Sequence, residues 1–215
     1  HRDSYGVDVF DAELEAVMEA AGLFDHAQAP IVIGHSFGGR VVMALGSRIS
    51  DRLGGVVIVD SPVPPKSEIG AFTPRASAPQ RFYESVPDIL ARFRLLPPQP
   101  CENDYVMDYI ARWSVKRAED DKWTWKFDPN MMTSLDWRSN IYEHFSGISC
   151  RLAVMRGEKS ALVNNHVWDY MHSLAGEEAV FISTPEAQHH VMLDQPLALT
   201  ASLRTLLAAW KSAES

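Results

Sequence analysis

A serine hydroxyl becomes a useful nucleophile only when the fold holds it clear of its surroundings beside a base. The stretch Pro30-Ile31-Val32-Ile33-Gly34-His35-Ser36-Phe37-Gly38-Gly39-Arg40-Val41-Val42 offers such a serine. Ser36 lies between Gly34 and Gly38 in the pattern Gly-x-Ser-x-Gly. Composition alone produces that bare pattern in roughly one chain of this length in ten to twenty, so its flanks carry the weight. Ile31, Val32 and Ile33 read as a short buried strand, and Val41, Val42, Ala44 and Leu45 continue as a helix. A sharp strand-to-helix turn lifts the serine, and the glycines are expected where side chains would collide with neighbouring backbone. The helix points its free N–H groups at the same spot, which suits an anionic intermediate. The plainer alternative is an ordinary glycine-rich turn.

Other chemistry is less well supported. Cys101 and Cys150 fit reduced thiols, and the chain has no Cys-x-x-Cys. Histidines, cysteines and carboxylates do not cluster at metal-ligand spacing, so neither metal nor cofactor is expected. His189 and His190 are adjacent, and on a strand they would face opposite ways, a poor geometry for chelation. The 28 acidic residues outnumber the 20 Lys and Arg, for a net charge of −8, which argues against a nucleic-acid surface. No apolar run is long enough to cross a bilayer. The expectation is a cytoplasmic protein acting on a small molecule, with no membrane partner.

The elements around Ser36 must hold it in place. A helix is expected from about Asp8 to Leu23, with Phe10, Leu14, Val17 and Ala21 on one face. Gly55 to Asp60 reads as a second buried strand that ends in a carboxylate. From Ser61 to about Ser149 prolines crowd in, and Trp113, Trp123, Trp125 and Trp137 show no strand alternation. Short helical patterns at Gln80–Phe93 and Asn103–Lys116 make this a mainly helical insertion. Strands then return at Arg151–Gly157 and Ala179–Ile182, with helices at Asn164–Leu174 and Pro196–Trp210. Alternating strands and helices imply an α/β fold, a mostly parallel sheet covered on both faces. Residues 1–60 and 150–215 form its core and 61–149 a helical cap.

This order resembles the α/β-hydrolase fold over nearly the whole chain. The string His189-His190-Val191-Met192-Leu193-Asp194-Gln195-Pro196 resembles that family's catalytic-histidine loop. The resemblance implies a capped serine esterase, with carbon–carbon bond hydrolysis, acyl transfer or non-catalytic ligand binding as alternatives. It makes Ser36 the nucleophile, gives one oxyanion donor to the N–H of Phe37, and makes His189 the base, with His190 one position away. His35, inside the Gly-x-Ser-x-Gly pattern, would support the turn beside the substrate. Trp123 and Trp125 would line the substrate pocket or form the cap's own core. The acid is less clear, because Ser160 occupies the family's usual slot after Gly157. Asp60, 24 residues past Ser36, resembles the acid position of some esterases of this fold, and Glu158 is the alternative. The family's first strands and oxyanion loop have no counterpart here. An upstream segment or a second chain is therefore expected to complete the sheet.

Overall fold

Val56, Val57, Ile58 and Val59 form an unbroken β-branched run, and such a run is stable as a strand only when both of its faces are covered. The computed structural model, which describes residues 5–69, 79–129, 131 and 140–212, covers both. The run lies in β2 (Gly55–Val59), all five residues of which are buried. It pairs in parallel with β1 (Ile31–His35) on one side and with β5 (Leu152–Gly157) on the other, and β5 pairs with β6 (Val180–Thr184). The order is β1-β2-β5-β6.

Side chains alternate across these strands and so feed two cores. On one face Val32, Val56, Ile58, Leu152 and Val154 pack against helices. These are α1 (Val7–Ala20), α2 (Phe37–Ile49), α5 (Ile141–Ser146) and α6 (Asn165–Leu174). On the other, Val57, Val59, Ala153 and Met155 meet Leu199, Leu206 and Trp210 of α8 (Pro196–Ser212). Each fully buried aliphatic side chain contributes about 1.5–3 kcal/mol, so helices on both faces are the stable solution. β1 lies at an edge of this sheet, and its Ile33 is 44% exposed. The first helix stops at Ala20, short of the expected Leu23, because Gly22 turns the chain with φ 66°.

The chain divides into two compact units, residues 7–70 with 137–215, and residues 1–6 with 71–136. Residues 61–69 and 140–149 therefore belong with the sheet, where Val63, Ile141 and Phe145 enter its core. The second unit contains α3 (Val86–Leu90), α4 (Asp104–Trp113) and an antiparallel ribbon of β3 (Val115–Arg117) with β4 (Trp123–Trp125). The ribbon corrects the expectation that no strand organises the tryptophans. Thr124 is buried at its centre while the flanking tryptophans face the other way. A three-residue alternation is too short to read as a strand; its turn uses Asp120 and Asp121 at positive φ, which aspartate tolerates. The helix expected from Gln80 shrinks to Val86–Leu90, because Tyr83 exchanges both backbone hydrogen bonds with Trp123 instead. Trp137 lies outside the described residues. Among the described residues no helix is long and apolar enough to cross a membrane.

Candidate active site

Parallel strands deliver their C-terminal ends to one edge of a sheet, and side chains just beyond them become neighbours. Here His35 is in register with Val59, so the next residues, Ser36 and Asp60, leave adjacent strands together. The Ser36 N–H donates to the Val59 carbonyl at 3.0 Å and the Asp60 N–H to that of Met155 at 2.8 Å, extending both ladders by one rung. Both residues then turn sharply, with φ of 53° at Ser36 and 46° at Asp60. Positive φ at non-glycine residues is strained and persists where surrounding structure enforces it.

The glycines around Ser36 do not all serve the expected purpose. A side chain at Gly34 would strike the backbone of Gly38, so Gly34 is required for the tight turn. A Cβ on Gly38 would meet nothing within 4 Å, contrary to the expected collision there. Gly39 is the crowded second position, against the side chain of Ser61. Phe37 opens α2, so its N–H belongs to the first helical turn, whose amides lack partners within the helix.

His189 is almost fully buried, at 2% exposure. Its Nδ1–H donates to Asp60 Oδ1 at 2.8 Å, and its Nε2 accepts from Ser36 Oγ–H at 3.0 Å. Asp60 is wholly buried and has further donors. Ser160 Oγ–H reaches Oδ1 at 2.6 Å, and the Gly157 N–H reaches Oδ2 at 2.7 Å. Together with the bond from His189, these donors fix the orientation of the buried carboxylate. Ser160 thus touches the Asp60 carboxylate from the slot where the family's acid usually stands. Gly157 matters twice, because a side chain there would strike the carbonyls of Ala187 and Gln188 in the histidine loop. These supporting roles were not read from the sequence, although the Gly-x-x-Ser spacing was the signal for them.

The other expected site residues are placed as follows. Glu158 is exposed, and its carboxylate accepts the Glu186 N–H at 3.0 Å, bracing the histidine loop. His35 Nε2–H donates to the His189 carbonyl at 2.9 Å, so His35 supports the backbone of its neighbour. Burial pushes the His35 pKa from 6.5 down to about 4, only partly countered by that hydrogen bond, which keeps the ring neutral at pH 7. Trp123 and Trp125 lie in the other compact unit, where the Trp125 ring contacts Phe93 and Phe127. Arg40, not singled out from the sequence, is buried in α2 and donates to the Pro62 carbonyl just past Asp60. Desolvation pushes its pKa down to about 9.

His190 caps the short helix α7 (Val191–Asp194). The expectation that His189 and His190 face opposite ways does not apply, because β6 ends at Thr184 and both histidines follow in a loop. One ring nitrogen each from His35, His189 and His190 lie within 4.8 Å of one another.

Taken with the parallel sheet, the Ser–His–Asp relay at its C-terminal edge defines a class of hydrolytic folds. The model of the alpha/beta hydrolase family matches residues 1–203, and the chain belongs to that family. It is similar in structure to an E-2-(acetamidomethylene)succinate hydrolase, with a TM-score of 0.74 and 17% identity over 95% of this chain and 75% of the other. It is also similar to an esterase from Mycobacterium tuberculosis, with a TM-score of 0.72 and 21% identity over 95% of this chain and 68% of the other. A third is the thioesterase domain of the curacin biosynthetic pathway, with a TM-score of 0.70 and 17% identity over 94% of this chain and 74% of that one. At these identities the likeness concerns the fold. No curated protein matches the sequence.

Proposed function

We propose that the protein is a serine hydrolase that cleaves a small carboxylic ester through an acyl-enzyme intermediate. The observation that carries this reading is the continuous relay from Ser36 Oγ to His189 Nε2 and from His189 Nδ1 to Asp60. Ser36 Oγ attacks the ester carbonyl while its proton passes to His189 Nε2. The carbonyl π electrons move onto oxygen, and the Phe37 N–H at the start of α2 offers that oxyanion one donor. Asp60 holds the ring in the tautomer that leaves Nε2 unprotonated, and it then stabilises the imidazolium. Collapse of the tetrahedral intermediate expels the alcohol, which takes the proton back from His189. Water, deprotonated by the same ring, then releases the acid and frees Ser36.

Asp60 is the acid in this reading, because its carboxylate meets His189 while Glu158 is bonded elsewhere. The test is turnover of p-nitrophenyl esters from acetate to octanoate by the protein and by Ser36→Ala. Hydrolysis that falls by several orders of magnitude in the variant supports the reading. Retention of most of the activity contradicts it.

A further inference from the structure

The histidine cluster beside Ser36 has a second chemical capability. A histidine that ligates a metal nearly always donates its other ring N–H to a carboxylate or a backbone carbonyl. Two rings here are held in that way, His189 by Asp60 and His35 by the carbonyl of His189. Those bonds occupy His189 Nδ1 and His35 Nε2 and leave His189 Nε2 and His35 Nδ1 as the nitrogens on the other side of each ring. His190 brings a third imidazole to the same place.

The spacing fits a small ion. Zinc binds imidazole nitrogen at about 2.0–2.1 Å, which puts ring centres roughly 5 Å apart when several rings share a tetrahedral ion. The observed separations are 4.8 Å for His35 and His189, 4.8 Å for His189 and His190, and 5.7 Å for His35 and His190. One ring nitrogen from each histidine lies within 4.8 Å of the others, and nitrogens that share a tetrahedral ion stand about 3.4 Å apart. That closure, up to about 1.4 Å between a pair, is shared among ring rotations and shifts of the three side chains. The three donors are all imidazoles, so the cluster selects zinc, cobalt or copper over calcium and magnesium, which want oxygen.

We propose that His35, His189 and His190 form a site for a divalent transition metal ion, and that its occupation switches the active site off. An ion on His189 Nε2 takes the lone pair that must accept the Ser36 proton. Metal binding and turnover are then mutually exclusive and reversible. The inhibitory part rests on the serine-hydrolase reading above; the binding part does not.

The experiment uses the chelator-treated protein and two readouts. Co²⁺ titration followed by visible absorption reports binding with no substrate present, and Zn²⁺ titration of p-nitrophenyl ester turnover reports inhibition. The expected result is saturable binding of one ion, with inhibition that excess EDTA reverses. His190→Gln and His35→Gln should each weaken binding by at least about tenfold. Inhibition, scaled to each variant's own rate, should weaken in parallel. Absence of saturable binding below about 1 mM, a thousandfold above the micromolar scale of a specific complex, overturns the proposal. So does binding that both variants leave unchanged. Variant-sensitive binding in a protein that hydrolyses no ester upholds the site and defeats the serine-hydrolase reading.

Discussion

Replacing Asp60 by asparagine keeps the shape of the side chain and removes one acceptor. In the native site Oδ1 accepts from His189 and Ser160, and Oδ2 accepts from Gly157. An amide has one oxygen and one NH₂ group, so it satisfies only one side. If the oxygen faces His189, the NH₂ points at the Gly157 N–H, donor against donor, in a site that is wholly buried. Leaving a buried donor unpaired costs about 1–3 kcal/mol. If the amide flips, its oxygen serves Gly157 and its NH₂ faces His189, while the Ser160 hydroxyl, whose oxygen already accepts from the Leu162 and Val163 N–H groups, loses its acceptor. The His189 Nδ1 must then accept, which puts the ring proton on Nε2, facing Ser36.

The flipped arrangement keeps the buried backbone bond to Gly157 and leaves only the rotatable Ser160 hydroxyl without its acceptor. It is therefore the one expected to dominate, and it disables the base. Selecting the wrong tautomer lowers kcat about 10⁴-fold, equivalent to roughly 5 kcal/mol of lost transition-state stabilisation. The assay is steady-state hydrolysis of p-nitrophenyl butyrate by Asp60→Asn, with Ser36→Ala as the floor and Glu158→Gln as the control. KM should change little, and Glu158→Gln should stay within about threefold of wild type, since Glu158 braces only the loop. Asp60→Asn retaining more than about a tenth of wild-type kcat, or Glu158→Gln falling further than it, refutes the reasoning.

Other residues make separate tests. Burial holds His35 neutral, with its pKa near 4 when folded against 6.5 when unfolded, so the unfolded state binds more protons between those values. Stability is therefore fully present above pH 6.5 and falls as pH drops toward 4, by up to about 3 kcal/mol. Urea melts of His35→Gln in EDTA should lack that component, and an unchanged pH dependence would count against it. Ser160→Ala removes one of two donors to Asp60 Oδ1, at about 1 kcal/mol, so kcat should fall about fivefold with KM steady. An unaltered kcat would show that Ser160 does not position the acid. Gly157→Ala must push the histidine loop away from β5, and kcat should fall about 10²-fold or more. Near-native turnover would mean the loop yields without disturbing His189.

The sheet was legible because its strands carry apolar runs of the right length, and the serine because two glycines and a helix surround it. Asp60 could be proposed from its place at a strand end, but its partners could not. Nothing local in the sequence says that residues 97 and 100 positions later, Gly157 and Ser160, will bond to it. Parallel pairing of β2 with β5 creates those contacts. The ribbon that carries Trp123 and Trp125 was missed because three residues per strand give too little periodicity to read. The histidine cluster was missed for a different reason. Adjacent histidines were judged as strand residues, whereas the chain leaves β6 at Thr184 and bends through Glu186 at positive φ.

Covalent capture of the nucleophile is the most direct test of the central claim. The protein and its Ser36→Ala variant are incubated with a fluorophosphonate, and the adduct is mapped by peptide mass spectrometry. The expected result is one phosphonyl group per chain, located on Ser36, with loss of ester turnover in proportion to labelling and no adduct in the variant. Equal labelling of the Ser36→Ala variant, or a wild-type chain that hydrolyses esters while Ser36 stays unmodified, contradicts it.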